Sequence, residues 1–218
     1  MTMPNLVTNF QKKRAVTQLK ATYSILSQAF ERAKSDYGDM TNWDTGSYYG
    51  QTSNETELFK SFTEKYFIPY VKPIKNYGIT TFKKIGYDSV YNLNKTTDNT
   101  TLGGQKYIIA LSNGAIVGFS LGGHCDEPGT DSEGNWVCNS GWYFTTIYIV
   151  ADINGIQSPN TLGKDIFVMS VDSDNFHFYT YKNTTRDQLL KYCSKDSTEN
   201  RHCGRLIQYD GWQINYPW

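Results

Sequence analysis

The sequence lacks a long apolar run, and this absence excludes a complete membrane span within it. None of its 218 residues belong to an apolar stretch of about 18 or more, and the mean hydropathy is −0.55. Charge is scarce and balanced, with 21 Lys and Arg, 21 Asp and Glu, and 19% charged residues in all. No net positive charge is available to neutralise a phosphate backbone, so we expect no nucleic-acid partner. The length suits one good-sized domain or two small ones.

Catalytic motifs are missing as well. The chain contains no H-E-x-x-H, G-x-G-x-x-G or G-x-x-x-x-G-K-[ST] pattern, and three histidines are few for an enzyme. A hydrolase built on Asp126, Glu127, Asp131 and Glu133 would need a base paired with a nucleophile, which the sequence does not show. We interpret these acids as solvated loop residues and predict that the protein is not an enzyme.

Cysteine is limited to four residues, which fall into two close pairs. An even number in this arrangement suits disulfides in an oxidising compartment. Of three connectivities we choose Cys125 with Cys138 and Cys193 with Cys203, because each closes a short loop. The alternative is a zinc site, but there is no Cys-x-x-Cys and the spacings fit no zinc finger or ribbon.

Aromatic residues, by contrast, are abundant, at 15% of the chain with 17 Tyr. Together with the low charge, this indicates an uncharged, aromatic surface of a kind commoner outside the cell. The tryptophans at 136, 142, 212 and 218 can be imagined stacking on sugars. We expect most of them to be core or loop-locking residues instead.

The strongest periodic signal is a set of apolar residues spaced alternately by three and four positions. These are Val16, Leu19, Tyr23, Leu26, Phe30, Ala33 and Tyr37. The spacing predicts an amphipathic helix with Gly38 as the C-cap residue. The pattern continues backwards through Leu6, Val7 and Phe10, so the helix can exceed thirty residues. Its N-terminal half then needs a further partner.

The rest of the chain changes from helix to strands. We predict a loop at residues 38–53 and a second helix at 55–67, ended by Pro69, followed by an excursion with little regular structure at 72–105. The buried residues of the second helix would be Leu58, Phe59, Phe62 and Tyr66. Strands are predicted at 107–111 and 115–120, joined by Asn113-Gly114 at the two central turn positions, and then at 142–150 and 165–171, with 176–181 as an extension.

This order predicts an α+β fold, with a long N-terminal helix packed on an antiparallel sheet of about four strands, plus loop insertions and two local disulfides. We divide one globular domain into the helix at 1–37, a connecting region at 38–105, and the sheet with its disulfide loops at 106–218. Asp152, Asn154, Asn160 and Asp165 surround glycine turns, and their oxygens suit Ca²⁺. The same residue types build tight turns, which is our preferred interpretation, and we predict no cofactor.

Three stretches together resemble the bacterial type IV pilin-like family, which includes the pseudopilins of type II secretion. The start, MTMPNLV through KKRAVTQLK, resembles the exit of a prepilin membrane helix, with Pro4 before an amphipathic half. The segment DING followed by PN and GKDIF resembles a strand-turn-strand segment of these proteins. The ending CGRLIQYDGWQI is similar to the C-terminus of many prepilin-type proteins. These stretches cover roughly half of the chain.

The resemblance implies a pilin-like fold and a structural subunit of a type IV pilus or type II secretion pseudopilus. The assembly helix would carry Leu6, Phe10, Val16, Leu19, Tyr23, Leu26 and Phe30. The partners implied are other pilin or pseudopilin subunits and the inner membrane, contacted through a segment ahead of Met1. We therefore expect a truncated form of a protein that is anchored before assembly and then lies in a periplasmic or cell-surface filament. The alternative is a secreted or surface adhesin that binds carbohydrate through exposed aromatic residues.

Overall fold

The structure is a computed structural model that describes residues 3–44, 55–125, 128–130, 132–133, 136–138, 142–172 and 175–218. It confirms an α+β fold in which a long N-terminal helix accompanies an antiparallel sheet. The helices are α1 (Met3–Tyr37), α2 (Glu55–Tyr66), α3 (Ile68–Val71), α4 (Arg186–Tyr192) and α5 (Cys203–Tyr209). Helix α1 ends as predicted, because Gly38 has φ +76° and its N–H donates to the Lys34 carbonyl at 2.9 Å.

The main sheet has six strands in the order β1-β4-β5-β8-β9-β10, and all neighbours are antiparallel. The strands of the chain are β1 (Lys75–Thr80), β2 (Val90–Tyr91), β3 (Thr97–Asp98), β4 (Lys106–Ala110), β5 (Ile116–Cys125), β6 (Pro128–Thr130), β7 (Trp136–Cys138), β8 (Trp142–Asp152), β9 (Ile166–Asp172) and β10 (Asn175–Phe178). Strands β2 and β3 form one small ladder, and β6 and β7 form another.

Side chains alternate between the two faces of this sheet, and both faces are covered. On what we call the helix face, Tyr107, Ile109 and Phe119 join a large core with α1, α2 and α5. On the second face, Ile108 and Ile116 pack in a smaller core with residues from the segment 82–102. The protein is therefore layered, with α1 on one side of the sheet and the segment after β1 on the other.

The hairpin between β4 and β5 is in the predicted place but has a different turn. The N–H of Gly114 donates to the Leu111 carbonyl at 3.0 Å, so Ser112 and Asn113 are the central turn residues. Gly114 alone has positive φ, at +89°. This arrangement is that of a type I turn followed by a left-handed glycine, which also matches the twist of a hairpin. The prediction that Asn113 and Gly114 occupy the central positions is wrong.

Three further sequence predictions need correction. The segment 72–105 contains β1, an edge strand with a bulge between Asn76 and Gly78. Because β1 pairs with only one of the described strands, its other edge faces solvent. Its residues accordingly show no alternation of buried and exposed side chains. Pro69 does not end the second helix, because α2 ends at Tyr66 and Pro69 lies in the first turn of α3. The sequence also did not predict α4 and α5.

The second predicted disulfide is confirmed. Cys193 and Cys203 are bonded and fully buried, with their Cα atoms 5.5 Å apart, and they connect the end of α4 to the start of α5. The side chains of Cys125 and Cys138 lie outside the described part of the chain, as do Asp126, Glu127 and Asp131, so the first disulfide stays a prediction. Across the residues that are described, no helix is both long and apolar enough to cross a membrane.

Candidate functional site

Helix α1 divides into a part that its own domain buries and a part that it leaves exposed. Leu19, Leu26 and Phe30 are completely buried in the helix-face core. Because their packing partners belong to the same chain, these three predicted assembly residues are not available to contact another subunit. Tyr23 and Val16 are half-buried and pack against the same core.

Tyr23 joins α1 to the last strand and to the C-terminal region. Its ring stacks on Phe178 with centroids 4.7 Å apart and meets Trp212 edge-on at 5.7 Å. Its hydroxyl donates to the Phe176 carbonyl at 3.2 Å and accepts from the Gln208 side chain at 3.5 Å. Because aromatic pairs of this geometry add to area burial, Tyr23 is a strong anchor for the middle of the helix.

The N-terminal turns of α1 carry a contiguous apolar patch with no cover from the described residues. Leu6 is 61% exposed, Val7 55% and Phe10 68%. Positions three and four apart share one face of a helix, so Phe10 lies beside both Leu6 and Val7. We call these three residues the apolar patch. Of the seven predicted assembly residues, Leu6 and Phe10 are the two that remain available to another molecule.

A groove runs from this patch toward the C-terminal tail. It has a volume of about 690 Å³ and lies between Leu6, Val16 and Thr17 on the helix and Trp212 and Ile214 on the tail. Lys12 closes one side, since its ammonium donates to the Ile214 carbonyl at 3.3 Å. Lys20 lies over the Trp212 ring at 5.2 Å. The tail contacts are separated from the helix by about two hundred residues, and no local signal in the sequence predicts them.

The turn between β8 and β9 faces the same stretch of α1 across a cavity. Gln11, Arg14 and Gln18 face Asn154 and Asp165 across a cavity of about 280 Å³. Two segments therefore flank the helix where its exposed part begins: the C-terminal tail, which contacts it, and this turn, which faces it across the cavity.

The two buried carboxyl groups of this turn are occupied by protein donors. Tyr87 donates to Asp152 Oδ2 at 2.7 Å, and the Asn154 N–H donates to Oδ1 at 3.1 Å. Asp165 accepts from the N–H groups of Thr161 at 2.5 Å and Asn160 at 2.9 Å. Burial raises the pKa of Asp152 to about 8 and also raises that of Asp165. These bonds fit the turn-building role that we preferred for Asp152, Asn154, Asn160 and Asp165.

The donor set also bears on calcium. A Ca²⁺ site needs six to eight oxygen ligands with several carboxylates, and within the described ranges no group of three or more His, Cys, Asp or Glu side chains comes together. The carboxyl oxygens of Asp152 and Asp165 already accept N–H and O–H groups. Hydrogen bonding within the turn therefore explains why these residues are present without a bound ion. Calcium binding here stays an untested alternative.

The tryptophans that the structure describes serve packing. Trp212 contacts Tyr23 and Phe178, and Trp218 lies against Lys164, whose ammonium is 5.5 Å from the ring centroid. The side chains of Trp136 and Trp142 lie outside the described residues. Glu133, the described member of the acidic loop group, is exposed, as predicted for a solvated loop acid.

A family model described as a family of unknown function, DUF6613, matches residues 5–218. Because the match covers nearly all of the sequence, the chain belongs to this family. No curated protein and no solved structure matches the chain.

Proposed function

We propose that this member of the DUF6613 family is a non-enzymatic structural subunit of a type IV pilus or a type II secretion pseudopilus, assembled through helix α1. One observation carries the proposal. The helix that forms the core of the domain continues without interruption into turns where Leu6, Val7 and Phe10 are mostly exposed. A single rigid element thus connects the folded domain to an uncovered apolar surface.

The energetics favour a partner for this surface. Burial of a Leu, Val or Phe side chain is worth about 1.5–3 kcal/mol relative to full exposure, and contiguous exposed apolar residues commonly mark interaction sites. Packing of apolar helix faces against one another is the standard solution for a helix that its own domain does not cover. The patch is therefore suited to contact with the equivalent helix of a second copy.

The sequence resemblance supports the same function independently. The stretch around Pro4, the segment from Asp152 to Phe167, and the ending from Cys203 to Ile214 are the three pieces that are similar to pilin-like proteins. We extend the proposal to location: the protein is anchored at the inner membrane before assembly and then lies in a periplasmic or cell-surface filament. Its partners are other pilin or pseudopilin subunits.

The alternative of an adhesin gains no support from the described tryptophans. Trp212 is packed against Tyr23, Phe178 and Lys20, and Trp218 against Lys164. Both tryptophan side chains are half-buried. We therefore keep the structural role as the main proposal.

The test is fractionation of cells that make the protein, with immunoblotting of sheared filaments. We expect the wild type in the filament fraction and the double variant Leu6→Asp with Phe10→Asp largely absent from it. The matched control is Ser24→Asp with Gln28→Asp, which places the same charges at the same spacing on an exposed polar face of α1. The control should enter filaments like the wild type.

Two results would contradict the proposal. One is a wild-type protein that never appears in any filament fraction. The other is a Leu6→Asp, Phe10→Asp variant that assembles as efficiently as the control. Thermal melting of both variants excludes unfolding as the cause, because the four positions are exposed and surface substitutions change stability by roughly 0.5 kcal/mol or less.

A further inference from the structure

The second face of the sheet contains a cavity that assembly through α1 would leave open. It has a volume of about 240 Å³ and lies over β4, β5, β8 and β9. Its polar and aromatic lining consists of Lys106, Ser120, Tyr148, Tyr179, Arg201 and the pair Thr100–Thr101. We call it the second-face cavity.

Lys106 is the most unusual of these residues. It lies on β4 on the same face as the core residue Ile108 and opposite to Tyr107, is only 7% exposed, and makes no hydrogen bond or ion pair with the described residues. Its stem is held against the sheet, since a Cβ added to Gly118 would lie 3.1 Å from Lys106 Cδ. Burial of this side chain lowers the pKa of Lys106, because partial loss of water disfavours the charged ammonium.

A packing explanation accounts for the stem but not for the lining. Lysine stems often cover apolar surface while the ammonium reaches water. Here the space beside Lys106 is a concave site lined by a second cation, by Ser120, Thr100 and Thr101, and by two tyrosine rings. Such a combination of a few polar groups with aromatic walls is typical of small-ligand sites.

Two cations line the cavity, and of these only Lys106 has no ion pair with a described residue. Arg201 is already paired with Glu199, at 2.8 Å and 3.1 Å from its Nη2 atom, and lies 5.6 Å from the Tyr179 ring centroid. His202, beside Tyr179, adds no charge at neutral pH, because burial lowers its pKa to about 4. Asp98, behind the threonines, accepts hydrogen bonds from the backbone and hydroxyl groups of Thr100 and Thr101. Lys106 is therefore the lining cation that has no ion pair with a described residue.

One unpaired cation in the lining, with the anions Glu199 and Asp98 close by, suits a monoanion better than a more highly charged ligand. A carboxylate carries one negative charge, whereas a phosphate monoester carries about 1.5 to 2 at neutral pH. The volume is just below the range of about 300–1,000 Å³ for drug-sized ligands, so the site suits one ring rather than an extended chain. The rings of Tyr148 and Tyr179, with centroids 5.9 Å apart and planes inclined by 59°, form a corner against which such a ring can pack.

We propose that the second-face cavity binds an acidic monosaccharide unit, with the sugar carboxylate on Lys106, the ring against Tyr148 and Tyr179, and the sugar hydroxyls on Ser120, Thr100 and Thr101. The site is on the opposite face of the sheet from α1. It therefore operates whether or not the chain assembles into a filament.

The experiment is calorimetric titration of the folded protein with sodium D-glucuronate, D-glucose and D-glucose 6-phosphate. These probes share one ring and differ in the group at carbon 6, which is a carboxylate, a hydroxyl or a phosphate. We expect saturable binding of glucuronate, at least tenfold tighter than that of either other sugar. Equal or absent binding of glucuronate and glucose, or tighter binding of the phosphate, overturns the proposal.

Substitutions in the cavity test whether Lys106 binds the sugar carboxylate. Lys106→Met keeps the stem and removes the charge, and we expect glucuronate affinity to fall at least tenfold, whereas the exposed-lysine control Lys83→Met leaves it unchanged. Ser120→Asp provides a second test, because a carboxylate inside the cavity should neutralise Lys106 and abolish binding. Wild-type affinity in Lys106→Met or in a folded Ser120→Asp variant contradicts the assignment.

Discussion

The two ends of helix α1 have similar apolar spacing but opposite environments. From Leu19 to Phe30 the stripe is buried against the chain's own sheet, while at Leu6, Val7 and Phe10 it is exposed. The boundary lies between residues 11 and 18, where the C-terminal tail contacts the helix and the β8–β9 turn faces it across a cavity. Hydrophobic periodicity thus identifies which face of a helix will be buried, but not whether the cover comes from the same chain.

The largest expected effect separates the two ends directly. Phe30→Ala removes a fully buried ring and should lower the free energy of unfolding by about 3–5 kcal/mol, whereas Phe10→Ala should change it by less than about 0.5 kcal/mol. Urea denaturation of both variants measures the difference. Similar losses for the two would mean that Phe10 is covered within the isolated domain.

A second prediction concerns the C-terminal cover of the buried end. Replacing Cys193 and Cys203 together by Ser opens a loop with a sequence separation of 10 and should cost about 2–4 kcal/mol. Because α5 lies beside Tyr23 through Gln208, amide hydrogen exchange around Tyr23 should quicken more than at the Leu26–Phe30 turn. Uniform quickening along α1 would show that the C-terminal region does not set the boundary.

A third prediction uses pH to weaken the β8–β9 turn. Burial raises the pKa of Asp152 from 3.8 to about 8 in the folded state. The folded chain therefore retains a proton that the unfolded chain has lost between about pH 4 and pH 8, so this group makes the free energy of unfolding fall as the pH rises through that window.

The measurement is the difference in unfolding free energy between wild type and Asp152→Asn at pH 5 and at pH 8. The wild type should lose stability relative to the variant by at least about 1 kcal/mol, since one unit of pKa displacement corresponds to about 1.4 kcal/mol. Subtracting the unfolding free energy of the variant from that of the wild type largely removes the pH dependence contributed by Asp165 and His202. A pH-independent difference would show that Asp152 is ionised in the folded state.

The smallest expected effect lies at the boundary itself. Tyr23→Phe keeps the ring contacts but removes the hydroxyl that donates to Phe176, which should cost about 0.5–1.5 kcal/mol. Thermal melting is sensitive enough to detect this. A loss as large as that of Phe30→Ala would show that the hydroxyl, rather than ring packing, anchors the middle of the helix.

The elements that the sequence predicts well are those whose signal is local. Helix α1 follows from spacing and from Gly38, and β8 from a run of aromatic and β-branched residues. The edge strand β1 was missed because its pairing with β4 is a tertiary contact and Gly78 interrupts it at a bulge. Helix α4 has a readable signal that was overlooked, since Thr185 and Gln188 form a capping box at its start.

The candidate site shows the same division. Leu6 and Phe10 were predicted from periodicity, but the exposure that makes them candidates depends on where the sheet ends beneath the helix. The contact between Lys12 and Ile214 joins residues 202 positions apart. The residues that line the cavity with Lys106 come from β5, β8 and β9, from the turn before β4 and from the C-terminal region. No window of sequence contains such information, because it arises from topology.

The contact between the tail and α1 also has a consequence for synthesis. Helix α1 is synthesised well before Trp212 and Ile214, which contact it from about two hundred positions later in the chain. Contacts of such long sequence separation form slowly, because the intervening chain must first be ordered. Until the strands and the C-terminal residues that cover it have been synthesised, the stripe from Leu19 to Phe30 is therefore as exposed as the apolar patch, and the distinction between the two ends of the helix arises late in folding.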